Sequence, residues 1–535
     1  MPNQANVNLT KYYDEVPYQS HPFPQTAVEH LATRAFLFGL DAPSASQARV
    51  LELGCAGAGN LIPYAGRFPG ARVVGVDLST VQIAQGLAAV ERAGLKNIEL
   101  YVMDLADIGE SLGRFDYIIC HGVYSWVPDR VQNAILRICE QNLSPHRIAY
   151  ISYNVYPGWK AREIVRDAML LRGGPRETPE EKLSFARGML DFLEQSAKPD
   201  SVLTRALEKT MPIVRDGRPA YLLHEFFEPF NAPCYFKEFL ERAGKHDLAY
   251  LSESDSSSMF IQNYAEKVRE PLIRECDGSQ IVMEQYLDFL VDRTFRQTLL
   301  VKADKTDQIR YRLDPQRIGS LYLAGKYEAA DESPLTLDHV EQLCTALGNR
   351  SVMLRNPVHK AVALTLSAQF PATMNFDEIV AAVRSLVDES EVTVRTLTLT
   401  LTLAMVEELV ILGSICVRHE RPEIAADLSS HPRVLDANRL TFASFPHGDR
   451  PNVACNQWHE STTLSPLQTF LMPLLDGNRS CEALEFGVTA AAQTGQLIFS
   501  RQGQPIEGRD VPPVFVGEEL TLALQGLRRK GILVG

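Results

Sequence analysis

From Arg49 onward, apolar runs alternate with amphipathic stretches. The pattern predicts strands at RVLELG (residues 49–54), ARVVGVDL (71–78), NIELYVMDL (97–105), FDYIICHG (115–122) and RIAYISYNVY (147–156). Between them NLIPYAGRF (60–68), TVQIAQGLAAVERAG (80–94) and VQNAILRICEQNL (131–143) carry the 3.6-residue apolar spacing of helices. Strands alternating with helices at this rhythm predict a parallel sheet covered on both faces, a Rossmann-like α/β core.

The rhythm breaks at 173–231, which reads as a helical insertion. CYFKEFLERAG (234–244) is then a helix, and HDLAYLSES (246–254) and SSMFIQNY (257–264) are expected to be the strands that complete the sheet. That places the core domain at 1–268. EQYLDFLVDRTFRQTLLV (284–301) reads as helix then strand. From 335 to 417 helical segments dominate, with a period-2 patch at 396–403. The polar stretch 446–451 has the composition of a linker. Its position divides the remainder into a middle helical, winged-helix-like domain at 269–445 and a C-terminal winged-helix-like domain at 451–535.

At 535 residues the chain exceeds what one core fills, in keeping with several domains. The net charge of −13 is the reverse of a nucleic-acid footprint, so the winged-helix-like pieces read as protein docking or dimerisation surfaces rather than as DNA readers. Nine scattered cysteines without a CxxC pair predict reduced thiols in a cytoplasmic protein, with no metal site. The start MPNQANVNLTKYYDE lacks a secretory pattern. The longest apolar stretch, 404–417, is interrupted by Glu407 and Glu408, so no membrane insertion is expected.

The chemistry concentrates in VLELGCAGAGN, Val50–Asn60, a strand running into a glycine-rich turn and a helix. Gly54 permits the tight turn. Glu52 just before it would repel a phosphate and suits a cationic ligand with an amino-acid group. Asp77, ending the second strand, is placed to accept the hydroxyls of a ribose. Asp104, after the third strand, is placed to receive an adenine amino group. Acids at three successive strand ends fit S-adenosyl-L-methionine better than NAD.

This ordered set resembles the class I S-adenosylmethionine-dependent methyltransferases: ELGCAGAG for the methionine end, VVGVDLS for the ribose and VMDLAD for the adenine. At the three alternate positions that are usually glycine, this sequence has Gly54, Ala56 and Ala58. The segments YDEVPYQSHPFPQT, HGVYSWVP, YNVYPGWKAREIVRDAML and HEFFEPFNAPCYFKEFLERAGKHDLAYLSES are similar to one bacterial group, and the last resembles its methyltransferase regulatory region. That group includes rickettsial-type protein-lysine methyltransferases acting on outer-membrane proteins. The likeness runs from about residue 10 to about residue 300. It implies N-methylation of protein lysine, a protein partner, and a homodimer contact at the helical insertion. It assigns to the cofactor site Tyr18, Glu52, Gly54, Ala56, Asn60, Asp77, Leu78, Asp104, Leu105 and His121.

Other residues stay open between roles. Tyr12, Tyr13 and Tyr18 are either a lid or a segment packed on the core. His121, Tyr124 and Asn154 are candidates for catalysis, and His121 equally suits a satisfied structural histidine. Trp126, Tyr156 and Trp159 follow strand ends and are candidates for substrate contact. His224–Glu228 lacks the second histidine of a zinc-protease motif, and Cys55 needs only to be small. A small-molecule methyltransferase and a non-catalytic S-adenosylmethionine-binding regulator are the alternative functions.

Overall fold

The computed structural model describes residues 20–387, 392–501, 504–506 and 511–534. Tyr12, Tyr13 and Tyr18 lie outside them. The alternating pattern from Arg49 folds as predicted. β1 (Arg49–Leu53), β2 (Arg72–Asp77), β3 (Ile98–Val102), β4 (Phe115–Cys120) and β5 (Leu143–Asn154) are parallel neighbours. With β6 (Leu248–Glu253) and β7 (Phe295–Lys302) they form one seven-stranded sheet of order β3-β2-β1-β4-β5-β7-β6, in which β7 is antiparallel to β5 and β6. The order reverses between β1 and β4, where open α/β sheets bind ligands at the carboxyl ends of their strands.

Both sheet faces are buried, which is why the strands read as continuous apolar runs. Val50, Val73, Ile119 and Tyr150 point into one core; Leu51, Val74, Ile118 and Ile151 point into the other. Helices Asp129–Asn142 and Phe236–Gly244 cover the second face. The first face is covered by helix Val28–Leu37 and by the middle of the chain, because Leu323, Val362, Ile379, Leu409 and Val417 share its core.

Several boundaries move. The expected strand 257–264 is two short 3-10 turns, Ser256–Met259 and Ile261–Asn263. Asp255 starts the first by accepting hydrogen bonds from the Ser257 amide at 3.1 Å and hydroxyl at 2.6 Å. The last sheet strand in sequence is therefore β7, and the core sheet extends beyond residue 268. The helical insertion starts earlier than residue 173. Helices Trp159–Gly173, Pro179–Ser196, Val202–Asp216 and Pro219–Phe227 pack on a core of their own that includes Val165, Met169, Leu190 and Phe226.

In the middle region, Gln342–Ala346 and Arg350–Leu354 pair as an antiparallel hairpin where helix was expected. The period-2 patch 396–403 lies inside helix Val392–Leu412. Its Thr–Leu alternation mimics a strand, but Met405, Val406, Leu409 and Val410 bury one helical face. At the C-terminus Arg433–Val434 pairs with Leu533–Val534, and Val434 and Phe442 join Leu484, Val488 and Leu524 in one core. The stretch 446–451 thus lies within this domain, which begins before residue 451. No helix among the described residues is long and apolar enough to cross a membrane.

Candidate functional site

The turn after β1 is built from left-handed backbone. Gly54 has φ +75°, and Ala56 and Ala58 have φ 48° and 58°. A Cβ on Gly54 would stand 2.5 Å from Cγ2 of Val123, and one on Gly59 would stand 2.4 Å from the Ser20 carbonyl oxygen. Ser20 Oγ accepts a hydrogen bond from the Gly59 amide at 2.6 Å. The two alanines thus take the glycine conformation, at about 1 kcal/mol or more each.

Three acids stand at three strand ends around this turn. Glu52 is buried, 4% exposed. Its Oε1 accepts from Asn60 Nδ2 at 2.8 Å, while Oε2 is buried with no hydrogen-bond partner among the described residues. Burial pushes its carboxyl up to about 8. Asp77 accepts from the Ala56 amide through Oδ2 and from the Ser79 amide through Oδ1, both at 2.8 Å, so it ties the glycine-rich turn to the end of β2. Asp104 caps the turn Leu105–Asp107 by accepting from the Ala106 amide at 2.9 Å, and Arg130 stands 3.2 Å from its other oxygen. Leu78 is half-buried and Leu105 buried.

His121 follows β4. Its Nδ1 lies 2.9 Å from the Tyr150 hydroxyl and 3.2 Å from the Ser152 hydroxyl. The Phe23 ring packs 4.2 Å from the imidazole, and Phe295 meets it edge-on at 6.3 Å. Burial lowers its pKa to about 4, so the ring is neutral near pH 7. A neutral imidazole among aromatic rings presents no charge to repel a cationic ligand.

The remaining candidates separate. Tyr124 is fully buried, its ring edge-on to the stacked pair Tyr153 and Phe239 in the core beneath helix Phe236–Gly244. Asn154 is buried at the end of β5; its amide donates to Ser125 Oγ at 2.8 Å and its side chain to Asn231 Oδ1 at 3.3 Å. Trp126 and Trp159 meet edge-on at 6.0 Å, both buried. Tyr156 is half-buried, donates to Glu163 Oε1 at 2.6 Å and packs 5.4 Å from Tyr235, with Lys160 Nζ over its ring.

Sequence reading missed the residues that hold this site from a distance. The Phe23 amide, the Thr26 hydroxyl and His459 Nε2 all converge on Asn60 Oδ1, at 3.0, 3.1 and 2.8 Å. The first two sit within a quoted motif, but nothing in the sequence pairs position 459 with position 60.

Comparison with known proteins follows the same plan. Residues 50–146 match a methyltransferase domain, 218–302 the predicted methyltransferase regulatory domain, and 431–532 the PKMT C-terminal winged helix domain. The chain is 34% identical to the Rickettsia prowazekii protein RP789 over 508 residues, covering 93% of this chain and 89% of that one. It is 38% identical to a second protein of that organism, RP028, over 45% of this chain and 96% of the relative. The structure of PKMT2 from Rickettsia typhi superposes with a TM-score of 0.83 at 25% identity, covering 97% of this chain and all of that one; its complex with AdoHcy gives 0.82. Fold and site define an S-adenosylmethionine-dependent methyltransferase of the Rossmann-like class. Within that class the chain belongs to the family of RP789, and it joins this core to a regulatory region and a PKMT-type winged-helix domain.

Proposed function

We propose that this enzyme binds S-adenosylmethionine in the turn after β1 and transfers its methyl group to the ε-amine of lysine in a protein substrate. One observation carries the cofactor reading: a buried carboxylate, Glu52, keeps an oxygen without a partner among the described residues, beside the strained turn. A buried acceptor of this kind calls for a donor, and the cofactor's ammonium is one. Asp77 and Asp104, carboxylates at the ends of the next two strands, are of the acceptor type that suits ribose hydroxyls and an adenine amine. The residues present therefore fit the cofactor. PKMT2 of Rickettsia typhi, which covers almost the whole chain, binds AdoHcy and supports the same reading.

The cofactor supplies a methyl group already activated on a sulfonium. The protein's part is to bind, orient and exclude water, and orientation supplies much of the rate in such a transfer. Phe23, His121 and Phe295 form an aromatic wall that favours a cation through the ring faces. His121 at a pKa of about 4 is a weak base near pH 7, so it serves as neutral wall and positioner. The acceptor amine must arrive deprotonated, which a poorly solvated, aromatic-lined approach favours. The aromatic group Tyr156, Tyr235 and Phe289 beyond β5 suits the aliphatic stem of a lysine.

Nine free cysteines support a cytoplasmic location, and the acidic charge supports a protein rather than a nucleic acid as partner. Leu171, Phe192 and Val202, exposed on the helical insertion, support a homodimer contact there. The test is transfer of labelled methyl from S-adenosylmethionine to bacterial outer-membrane protein, followed by acid hydrolysis. Labelled Nε-methyllysine is expected; label confined to small molecules would overturn the protein-lysine reading.

A further inference from the structure

We infer that His459, on the C-terminal winged-helix domain, is a positioning residue for the cofactor's ammonium, acting through Asn60 on Glu52. The inference rests on the reading that Glu52 takes that ammonium.

His459 lies between the paired strands Val453–Cys455 and Ser461–Thr463. It is 2% exposed and has φ +65°, a conformation that a residue with a bulky side chain adopts only where its surroundings hold it. The surroundings here are specific. Asn456 Oδ1 accepts from the amides of Trp458 and Glu460, both at 2.9 Å, and Asn456 Nδ2 donates to Glu460 Oε2 and to the Lys530 carbonyl. Trp458 Nε1 donates to the Pro371 carbonyl at 3.1 Å, and Arg418 stacks over its ring at 4.7 Å. The tip is thereby clamped between the middle region and the end of the chain, with the imidazole aimed at the cofactor turn.

The neighbours fix the tautomer. Arg67 Nη2 stands 3.1 Å from His459 Nδ1 and has only donors to offer, so Nδ1 accepts. Nε2 therefore carries the hydrogen and donates to Asn60 Oδ1 at 2.8 Å. Burial and the nearby Arg67 and Arg418 hold the ring's pKa well below its ordinary value, which keeps it neutral. Donation from His459, from the Phe23 amide and from the Thr26 hydroxyl holds the carbonyl side of the Asn60 amide. The amide can then face only one way, with Nδ2 toward Glu52 Oε1. That bond occupies one carboxylate oxygen and leaves the other without a partner among the described residues. Without His459 the Asn60 amide loses the shortest of its three donors, and its hold on Glu52 loosens.

The test uses the full chain and calorimetric titration with S-adenosylhomocysteine and with 5′-methylthioadenosine, which lacks the amino-acid end. His459→Ala is expected to weaken S-adenosylhomocysteine binding by about tenfold, the scale of one hydrogen bond to a charged group. Its affinity for methylthioadenosine should match the unaltered chain. His459→Gln, whose amide N–H can stand in for Nε2–H, should restore most of the loss. In a Glu52→Gln background, His459→Ala should add nothing. Unchanged S-adenosylhomocysteine affinity in His459→Ala, or equal losses for both ligands as a loosened fold would give, overturns the inference. If the unaltered chain binds neither ligand, the cofactor reading itself fails.

Discussion

Glu52 sits where burial makes its charge costly. Its pKa in the ligand-free fold is about 8, against about 4.3 for an unfolded glutamate. The raised value means that the fold takes up a proton. The stabilisation from that proton is complete below about pH 4.3 and is lost as pH rises through about 8. Two outcomes follow at this scale. Thermal unfolding of the ligand-free chain should include a decline in stability between about pH 5 and pH 8, which Glu52→Gln reduces. A cation bound at Glu52 favours its ionised form, so cofactor binding at pH 7 should release a proton. Calorimetry in buffers of different ionisation enthalpy measures that release directly, and an unaltered proton count in Glu52→Gln would remove Glu52 from the role. Residues such as Glu52, Asp77 and Asp104 are legible in sequence because each follows an apolar run that ends at a turn. Tyr124 follows one too, yet its ring turns into the core against Phe239, and no spacing rule distinguishes inward from outward at a strand end.

The elements carry their own strain and their own charge balance. In the turn after β1, Ala56 and Ala58 adopt left-handed φ. Ala56→Gly should raise stability by about 0.5 kcal/mol, since relief of strain outweighs the added freedom of the unfolded chain. A lower urea midpoint in that variant would contradict the strained geometry. At the other end of the sheet, Arg296 of β7 is 1% exposed and binds Glu253, Glu284 and Asp288 at 2.7, 3.0 and 2.8 Å, with its guanidinium 3.6 Å from the Phe236 ring centroid. Arg296→Met leaves these buried carboxylates without their shared cation and should destabilise by about 3–5 kcal/mol, read as a fall in urea midpoint. A loss below about 1 kcal/mol would mean that the cluster is not the anchor of β7. The strand FRQTLLV lies outside the core in the sequence reading because 246–254 and 257–264 are expected to complete the sheet. The run 257–264 carries Met259, Phe260 and Ile261 and looked the better strand, but Asp255 turns the chain first. The Thr–Leu alternation of 396–403 misleads in the same way: a local period of two yields to the helical face that Met405, Val406 and Leu409 bury further on.

At the scale of the whole molecule, the parallel core and the glycine-rich turn after β1 are readable in the sequence because each of their signals is local. The arrangement of the rest was not, because it depends on contacts between residues hundreds of positions apart. The middle of the chain shares the core under one sheet face, and the winged-helix domain reaches Asn60, after the β1 turn, through His459, while Arg67 of the core donates to its Asn456 carbonyl. The C-terminal half is thus packed against the core sheet and against the turn after β1. The claim on which all of this depends is that the turn after β1, with Glu52 and Asp77, holds S-adenosylmethionine. Calorimetric titration of the full chain with S-adenosylmethionine, S-adenosylhomocysteine and NAD, repeated with Asp77→Ala, tests it most directly. The account predicts saturable binding of the first two and none of NAD, weakened by about tenfold or more in Asp77→Ala. No binding of either adenosyl compound, or equal affinity in Asp77→Ala, would contradict it.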